Sequence, residues 1–339
     1  MVDMSKGRVL VTGGAGFIGS ALVWALNRRG IEDIVVADFL GESEKWRNLV
    51  PLRYAEYMEA DDLARLVSED DEWLDGITTV LHMGACSSTT ERDAAYLVRN
   101  NFEYTKALCS WALSHDARFV YASSAATYGD GADGMSDEAD LATLRPLNMY
   151  GYSKQMFDAW ARRQGVLDRI VGLKYFNVFG PNEDHKADMK SLVQKAYHQV
   201  LETGTIRLFK SYRPEYAHGE QKRDFVYVKD AVALTLHLAE NERAGGLYNV
   251  GTGRAETWNA LARAVFAALE RPERIEYVEM PDALRGKYQY YTQATVTRLA
   301  AAGWAKPATR LEGAVKDYVC DYLVPDRRLG DGASERRSS

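Results

Sequence analysis

The chain has 339 residues, 46% of them hydrophobic and 27% charged, a length that suits one large or two unequal domains. Its formal net charge of −6, with no long basic run, disfavours nucleic acid, because phosphate binding needs clustered Lys and Arg. No apolar stretch approaches the ~20 residues of a membrane helix.

The polar start, Met1 to Arg8, runs straight into a strand pattern and does not read as a signal peptide. Cys86, Cys109 and Cys320 show neither a disulfide framework nor metal-ligand spacing, so no metal is expected and a reducing cytoplasm is the expected compartment. Residues 8–12, 34–38, 79–83, 119–123 and 170–178 read as buried strands, with helical patterns at 20–29, 91–113 and 152–164 between them. That alternation predicts an α/β fold, a doubly wound parallel sheet with helices on both faces, over residues 1–181. Beyond Gly180 the rhythm changes. A helical piece at 188–202, a polar loop at 210–222, short strands at 224–228 and 247–250 and a helix at 256–269 predict a smaller lobe over 182–325. Segments near 224–255 are expected to interleave with the first domain. The polar stretch 326–339, with its Asp-Gly and Arg-Arg pairs, is expected to be disordered.

The first predicted strand runs into Gly13–Gly14–Ala15–Gly16–Phe17–Ile18–Gly19, with Gly13, Gly16 and Gly19 spaced by three. Gly13 suits a tight turn, Gly16 lets backbone approach a pyrophosphate, and Gly19 lets the next helix pack on the strand. The free N–H groups of that helix then face the phosphates, as in a Rossmann dinucleotide site. Asp38 ends the second strand, where a carboxylate can accept both hydroxyls of an adenosine ribose and would repel a 2′-phosphate. Lys45 and Arg47 follow and could compensate that repulsion, or could be a solvated surface pair. NAD and NADP both stay open at this point.

Tyr150 and Lys154 are four residues apart in a helical pattern, so they share a face. A tyrosine of ordinary pKa ~10 is a poor base at neutral pH, and a neighbouring ammonium favours its phenolate. Ser124 stands just past a strand end, on the edge where open α/β sheets bind ligands, and its hydroxyl could hydrogen-bond a reacting oxygen. A Tyr–Lys pair alone is commonplace on helix surfaces; beside the glycine loop and Ser124 it points to redox chemistry. A non-catalytic dinucleotide sensor would have no use for the set.

With these three elements the chain resembles the extended short-chain dehydrogenases/reductases. Six longer stretches resemble the ADP-L-glycero-D-manno-heptose 6-epimerase family: residues 84–90, 121–129, 175–181 and 222–228, with His185–Lys186 and Tyr288–Gln289. The resemblance covers about 8–322. It implies an isomerase that removes and returns hydride at C6″ of the heptose through a ketone, supplying heptose for a lipopolysaccharide core. It implies NADP as cofactor, with NAD the alternative, and a homo-oligomer, a pentamer among the options. It implies Tyr150 and Lys186 as acid/base residues on opposite sides of the substrate, with Ser124 and Lys154 assisting. Phe17, Ile18, Asp38, Phe39 and Lys45 would line the adenosine end, and Met83, Gly84, Ala85, Cys86, Ser87, Asn100, Val178 and Lys186 would lie along the cofactor. Asn177, Asp188, Lys195, Phe209, Arg223 and Tyr288 would face the ADP-sugar. The pattern departs at Ala60, where the family often carries Lys near the adenosine phosphate, and at Asp188 and Lys195, which replace Ser and His. The 209–222 loop is also longer. Related 4,6-dehydratases carry Asp-Glu after the Ser/Thr position; Ala125 and Ala126 here leave no acid to protonate a leaving hydroxyl. A 4-epimerase of another nucleotide sugar stays the alternative.

Overall fold

The structure, a computed structural model, describes residues 1–285 and 288–332. Its centre is a seven-stranded parallel sheet. Six strands come from the first half of the chain: β1 (Arg8–Thr12), β2 (Ile34–Asp38), β3 (Glu56–Glu59), β4 (Ile77–His82), β5 (Arg118–Ser124) and β6 (Val171–Tyr175). Outside it lie the short strands β7 (Asn177–Phe179), β8 (Ile206–Phe209), β9 (Lys222–Arg223) and β10 (Phe225–Tyr227), and β11 (Gly246–Val250) returns to its edge. The order is β11-β6-β5-β4-β1-β2-β3. Helices cover the sheet, so β1, β2 and β6 are buried on both faces; β1 and β2 read as apolar runs, while β6 carries the buried Lys174. β3 escapes a sequence reading because it is an edge strand with exposed Glu56 and Glu59.

The strand order reverses at β1, which lies between β2 and β4. Loops leaving the carboxyl ends of β1 and β4 therefore diverge and open a crevice, the place where such sheets bind ligands. The helices bearing on it are α1 (Phe17–Asn27), α2 (Ala60–Glu69), α3 (Ala94–Leu97), α4 (Tyr104–Ser114) and α5 (Met149–Arg163). In the second half, α6 (Leu192–Thr203), α7 (Val228–Glu240) and α8 (Trp258–Ala268) accompany three small sheets. These pair β7 with β10, β9 with β12 (Glu256–Thr257) and β8 with β13 (Ile275–Val278). No helix among the described residues is long and apolar enough to cross a membrane.

Three expectations change. The helix predicted over 91–113 is broken into α3 and α4 by a π-turn at Val98–Glu103, where buried Asn101 leaves the helical face to bond other loops. The strand predicted over 170–178 splits at Phe176: β6 stays in the main sheet while β7 turns away to pair with β10. The disorder expected from residue 326 does not hold as far as Gly332. Leu329 is fully buried and its N–H donates to Asn182 Oδ1 at 3.0 Å, so one apolar side chain and one shared hydrogen bond tie the polar segment down. Residues 333–339 lie outside the described residues.

His82 closes β4 inside the core. Its Nδ1 lies 2.6 Å from Thr12 Oγ1 and its Nε2 lies 2.9 Å from Thr105 Oγ1. Thr105 donates its own proton to Asn101 O, so it accepts from Nε2–H, while Thr12 accepts from Gly84 N–H and donates to Nδ1. Both ring nitrogens are satisfied only in the neutral form, and burial pushes the imidazole down to about 3 from its ordinary 6.5. Between those values the unfolded chain binds a proton that the folded chain does not, so stability falls as pH drops from 6.5 towards 3. His82→Gln is expected to flatten that limb by about one proton, read as urea midpoints at pH 4–7. An unchanged slope would assign the acid sensitivity to other groups.

Candidate active site

The crevice begins at the glycine loop. Gly13 has φ +64, and a Cβ there would meet Gly84 N at 2.7 Å. At Gly19 a Cβ would stand 2.0 Å from Gly13 O, so only glycine lets α1 sit this close to the end of β1. Gly16 caps α1 with extended backbone, which leaves the first-turn N–H groups of Phe17 and Ile18 without intrahelical acceptors. This is a cradle shaped for a pyrophosphate, and its residues fit a dinucleotide.

Asp38, at the end of β2, is fully engaged. Its Oδ2 accepts from Ala15 N at 2.9 Å and Gly16 N at 3.1 Å. Its Oδ1 accepts from Phe39 N and Lys45 Nζ, each at 2.7 Å. The carboxylate thus staples the loop and is neutralised by Lys45, while Phe39 is exposed beside it. Ala60, where the resemblance would often place a lysine, is buried at the start of α2 and offers no charge.

The segment Met83, Gly84, Ala85, Cys86 leaves β4 opposite the glycine loop, and Ser87 follows on the surface. Gly84 packs tightly here: a Cβ would meet Gly13 N at 3.1 Å. Cys86 is clamped by Asn101, whose Oδ1 accepts from Cys86 N at 2.9 Å and whose Nδ2 donates to Cys86 O at 3.0 Å. Asn101 Nδ2 also reaches Ser153 Oγ on α5 at 3.0 Å. The half-buried Asn100 only donates to its neighbour, at 3.2 Å.

α5 starts at the Asn148 cap, whose side chain accepts from Gly151 N at 2.8 Å. Gly151 presses on the turn after β5: a Cβ there would lie 2.8 Å from Ala126 O. That closeness brings Tyr150 to Ser124, and the two share a hydrogen bond that favours the phenolate. Burial is the larger effect and holds the Tyr150 phenol above its ordinary value. Lys154 is buried one turn on, and burial lowers it to about 8 while Asp158 and Cys86 oppose the shift. The pair's shared face holds, yet Tyr150 is not lowered by Lys154 in this state; the hydrogen bond from Ser124 is the group acting against burial. Gly151→Ala is expected to lower turnover about tenfold or more, since backbone would have to retreat and carry Tyr150 with it. Steady-state rates beside a thermal midpoint check this; unchanged turnover would remove the need for contact between α5 and the turn.

Lys186 stands in the turn Asp184–Met189, after β7. Its Nζ lies 4.9 Å from the centre of the Phe17 ring and 4.0 Å from Glu183 Oε2. Burial lowers Lys186 and raises Glu183, each partly offset by the other. Val178 and Asn177 sit on β7, with Asn177 exposed. Asp188 and Lys195 are exposed and bond to each other, Lys195 Nζ donating to Asp188 O at 2.6 Å.

Arg223 is buried on β9, with its guanidinium 5.0 Å from the ring of Tyr288 and 5.5 Å from that of Trp258. It donates to Lys222 O at 2.8 Å and to Gln289 O. Gln289 in turn donates to Gly129 O, which joins this cluster to the turn carrying Ser124. Phe209 ends β8, and the long loop after it is held down by Tyr212 N donating to Tyr290 Oη at 3.1 Å.

Residues 9–251 match the model of the NAD dependent epimerase/dehydratase family. The chain belongs to that family. The epimerase-family chain is 55% identical over 316 residues to a protein of Nitratidesulfovibrio vulgaris named ADP-L-glycero-D-manno-heptose-6-epimerase, covering 93% of this chain and 98% of that one. A relative of the same name from Fusobacterium nucleatum is 45% identical over 94% of this chain and 98% of its own. Among solved structures, the ADP-L-glycero-D-manno-heptose-6-epimerase of Helicobacter pylori superposes with a TM-score of 0.80 at 27% identity, covering 95% of this chain and 98% of that chain. Membership brings a nicotinamide dinucleotide as cofactor.

Several residues of this epimerase-family chain escape a motif reading. Asn101, rather than Asn100, links the loop after β4 to α5, and the helical run 91–113 gave no sign of it apart from paired asparagines. Asn48 joins the glycine loop to the Lys186 loop, donating to Ala15 O at 3.0 Å and Asn182 O at 3.1 Å. A lone Asn in a polar stretch carries no such signal.

Proposed function

We propose that the chain interconverts ADP-D-glycero-β-D-manno-heptose and ADP-L-glycero-β-D-manno-heptose by inverting C6″. What supports this reading is that two proton-handling groups stand on different elements: Tyr150 on α5, acted on by Ser124 at the end of β5, and Lys186, against Phe17 in the turn after β7. Returning hydride to the opposite face of the ketone turns the reacting oxygen around, and an acid/base group on each side serves both orientations. When bound, the oxidised nicotinamide supplies a hydride acceptor and a positive charge beside the phenol. Tyr150 moves the hydroxyl proton on one face, Ser124 holds the reacting oxygen and Lys186 moves the proton on the other. Lys154, at about 8, is charged at neutral pH and holds the nicotinamide ribose. Arg223, with Tyr288 and Asn177, holds the ADP half: a guanidinium backed by aromatic rings matches a diphosphate. Asp188, Lys195 and Phe209 form the outer rim. Ala125 and Ala126 leave dehydration without an acid.

We read the cofactor as NADP. Lys45 neutralises Asp38, which removes the repulsion a bare carboxylate would set against a 2′-phosphate. Mass spectrometry of the nucleotide released on denaturation tests this, and NAD alone would overturn it. The reaction itself is tested by incubating purified protein with ADP-D-glycero-β-D-manno-heptose and following C6″ by NMR. Interconversion is expected; none, with turnover of a UDP-hexose instead, sinks the assignment.

A further inference from the structure

We propose that the segment after residue 325 is a strap that positions Lys186, with Leu329 and Arg328 as its positioning residues. The segment leaves the π-turn Val319–Leu323 and reverses at Asp326, with Arg327 N donating to Tyr322 O at 2.8 Å. Arg328 N donates to Asp331 Oδ2 at 2.7 Å and Asp331 N to Arg328 O at 3.0 Å, which closes a small loop around Leu329. Leu329 enters the core with no exposed surface, and its N–H donates to Asn182 Oδ1. Gly330 then passes under Pro51 and Leu52, where a Cβ would meet Pro51 O at 3.1 Å.

Asn182 is the hub. It is buried, its backbone is left-handed at φ +77, and it lies four residues before Lys186. Its Nδ2 donates to Ser20 Oγ at 3.0 Å on α1, and its carbonyl accepts from Asn48. Asn48 also meets Ala15 O and lies 3.4 Å from His185 Nδ1. The strap, the glycine loop and the Lys186 loop therefore share one buried hydrogen-bonded knot. Arg328 adds a second tie: its guanidinium, only 13% exposed, lies 3.7 Å from Asp184 Oδ2. Asp184 is also bonded by Gln194, so the turn bearing Lys186 is gripped from α6 and from the strap together.

A polar peptide like this gains little from burying one leucine, and its sequence reads as a loose end. Its ordered position makes sense through what it holds. Without it, Asn182 Oδ1 loses its donor inside the core and Asp184 loses its cation. The turn Asp184–Met189 already contains a non-helical kink at Ala187, so it is free to relax. Lys186 would then drift from the substrate face, and a displacement of about 1 Å can cost on the order of 10²-fold in rate.

Two probes are used, a chain ending at Pro325 and the full chain carrying Leu329→Asp, with Leu329→Met as the conservative control. Hydrogen–deuterium exchange of residues 182–190 is the first readout and needs no substrate, so it stands apart from the proposed reaction. Faster exchange confined to 182–190 and the residues around Asn48 is expected, with Leu329→Met behaving as wild type. Exchange at the wild-type rate there, or loosening spread over the whole chain, overturns the proposal. The second readout rests on the epimerase reading: kcat on the ADP-heptose should fall at least about tenfold with cofactor affinity within about twofold of wild type. An equal loss of cofactor affinity, or an unchanged kcat, speaks for a merely structural strap. If wild type itself does not turn over the ADP-heptose, the reaction assignment fails while the exchange result still decides the strap.

Discussion

Tyr150→Phe is expected to lower turnover by about 10³-fold while the nicotinamide cofactor stays bound, within the 10²–10⁴ that one general acid/base contributes. The change removes a single oxygen. The phenyl ring keeps its packing at the start of α5, where Gly151 presses on Ala126, so the helix has no reason to move. Lys154 and the glycine loop are untouched, and cofactor retention should be near wild type. What disappears is the hydroxyl that Ser124 acts on and that, in the proposed reaction, exchanges a proton with the substrate. Single-turnover rates, together with the cofactor content of the purified variant, check both halves. Near wild-type turnover would take Tyr150 out of the chemistry, and loss of cofactor would recast it as a binding residue.

The second large effect lies behind the site. Lys174 Nζ is 2.9 Å from Asp158 Oδ2, with side-chain exposures of 1% and 0%. Asp158 also accepts from Tyr121 Oη and Ser123 Oγ, each at 2.8 Å. Lys174 donates in addition to Thr127 Oγ1 at 2.6 Å, and Thr127 donates to Ser124 O at 2.8 Å. The pair thus ties α5 to β6 and to the turn that carries Ser124. Lys174→Met leaves a buried carboxylate with two hydroxyl donors and no bonded cation, which costs about 3–5 kcal/mol. For a chain of this size that is a fall of about 4–7 °C in the melting midpoint. Adding Asp158→Leu should restore much of it, because removing both charges leaves no uncompensated ion. Calorimetry of the single and double variants decides the matter; a single variant within about 2 °C of wild type would show that the pair contributes little.

How far the sequence alone reaches depends on whether a feature is periodic, local or long-range. The buried strands were legible because both of their faces are covered, which makes them continuous apolar runs. The glycine loop was legible because each glycine answers a steric demand fixed by its neighbours in the chain. Tyr150 and Lys154 were legible through helical spacing. Asn101, Asn48 and Asn182 were not, because their work is to bond loops 15 to 147 residues away, and spacing along one segment carries no trace of that. The same reason hid the order in residues 326–332: polarity predicted a free end, and one leucine with a distant asparagine decided otherwise. The electrostatics of Tyr150 also required coordinates, since the depth of burial, which sets the direction of its shift, is invisible in a Tyr-x-x-x-Lys pattern.

Asp38 carries one more lesson, for redesign. Exchanging the acidic residue at the end of the second strand is the obvious handle for switching an enzyme between the two nicotinamide coenzymes. Here that handle is also a structural rivet, holding Ala15, Gly16, Phe39 and Lys45 at once. Replacing it alone would strip the Ala15 amide of its acceptor, loosen the hold on Gly16 and leave Lys45 without its partner. Coenzyme engineering on this scaffold therefore has to treat the loop, the carboxylate and the lysine as one exchangeable cassette.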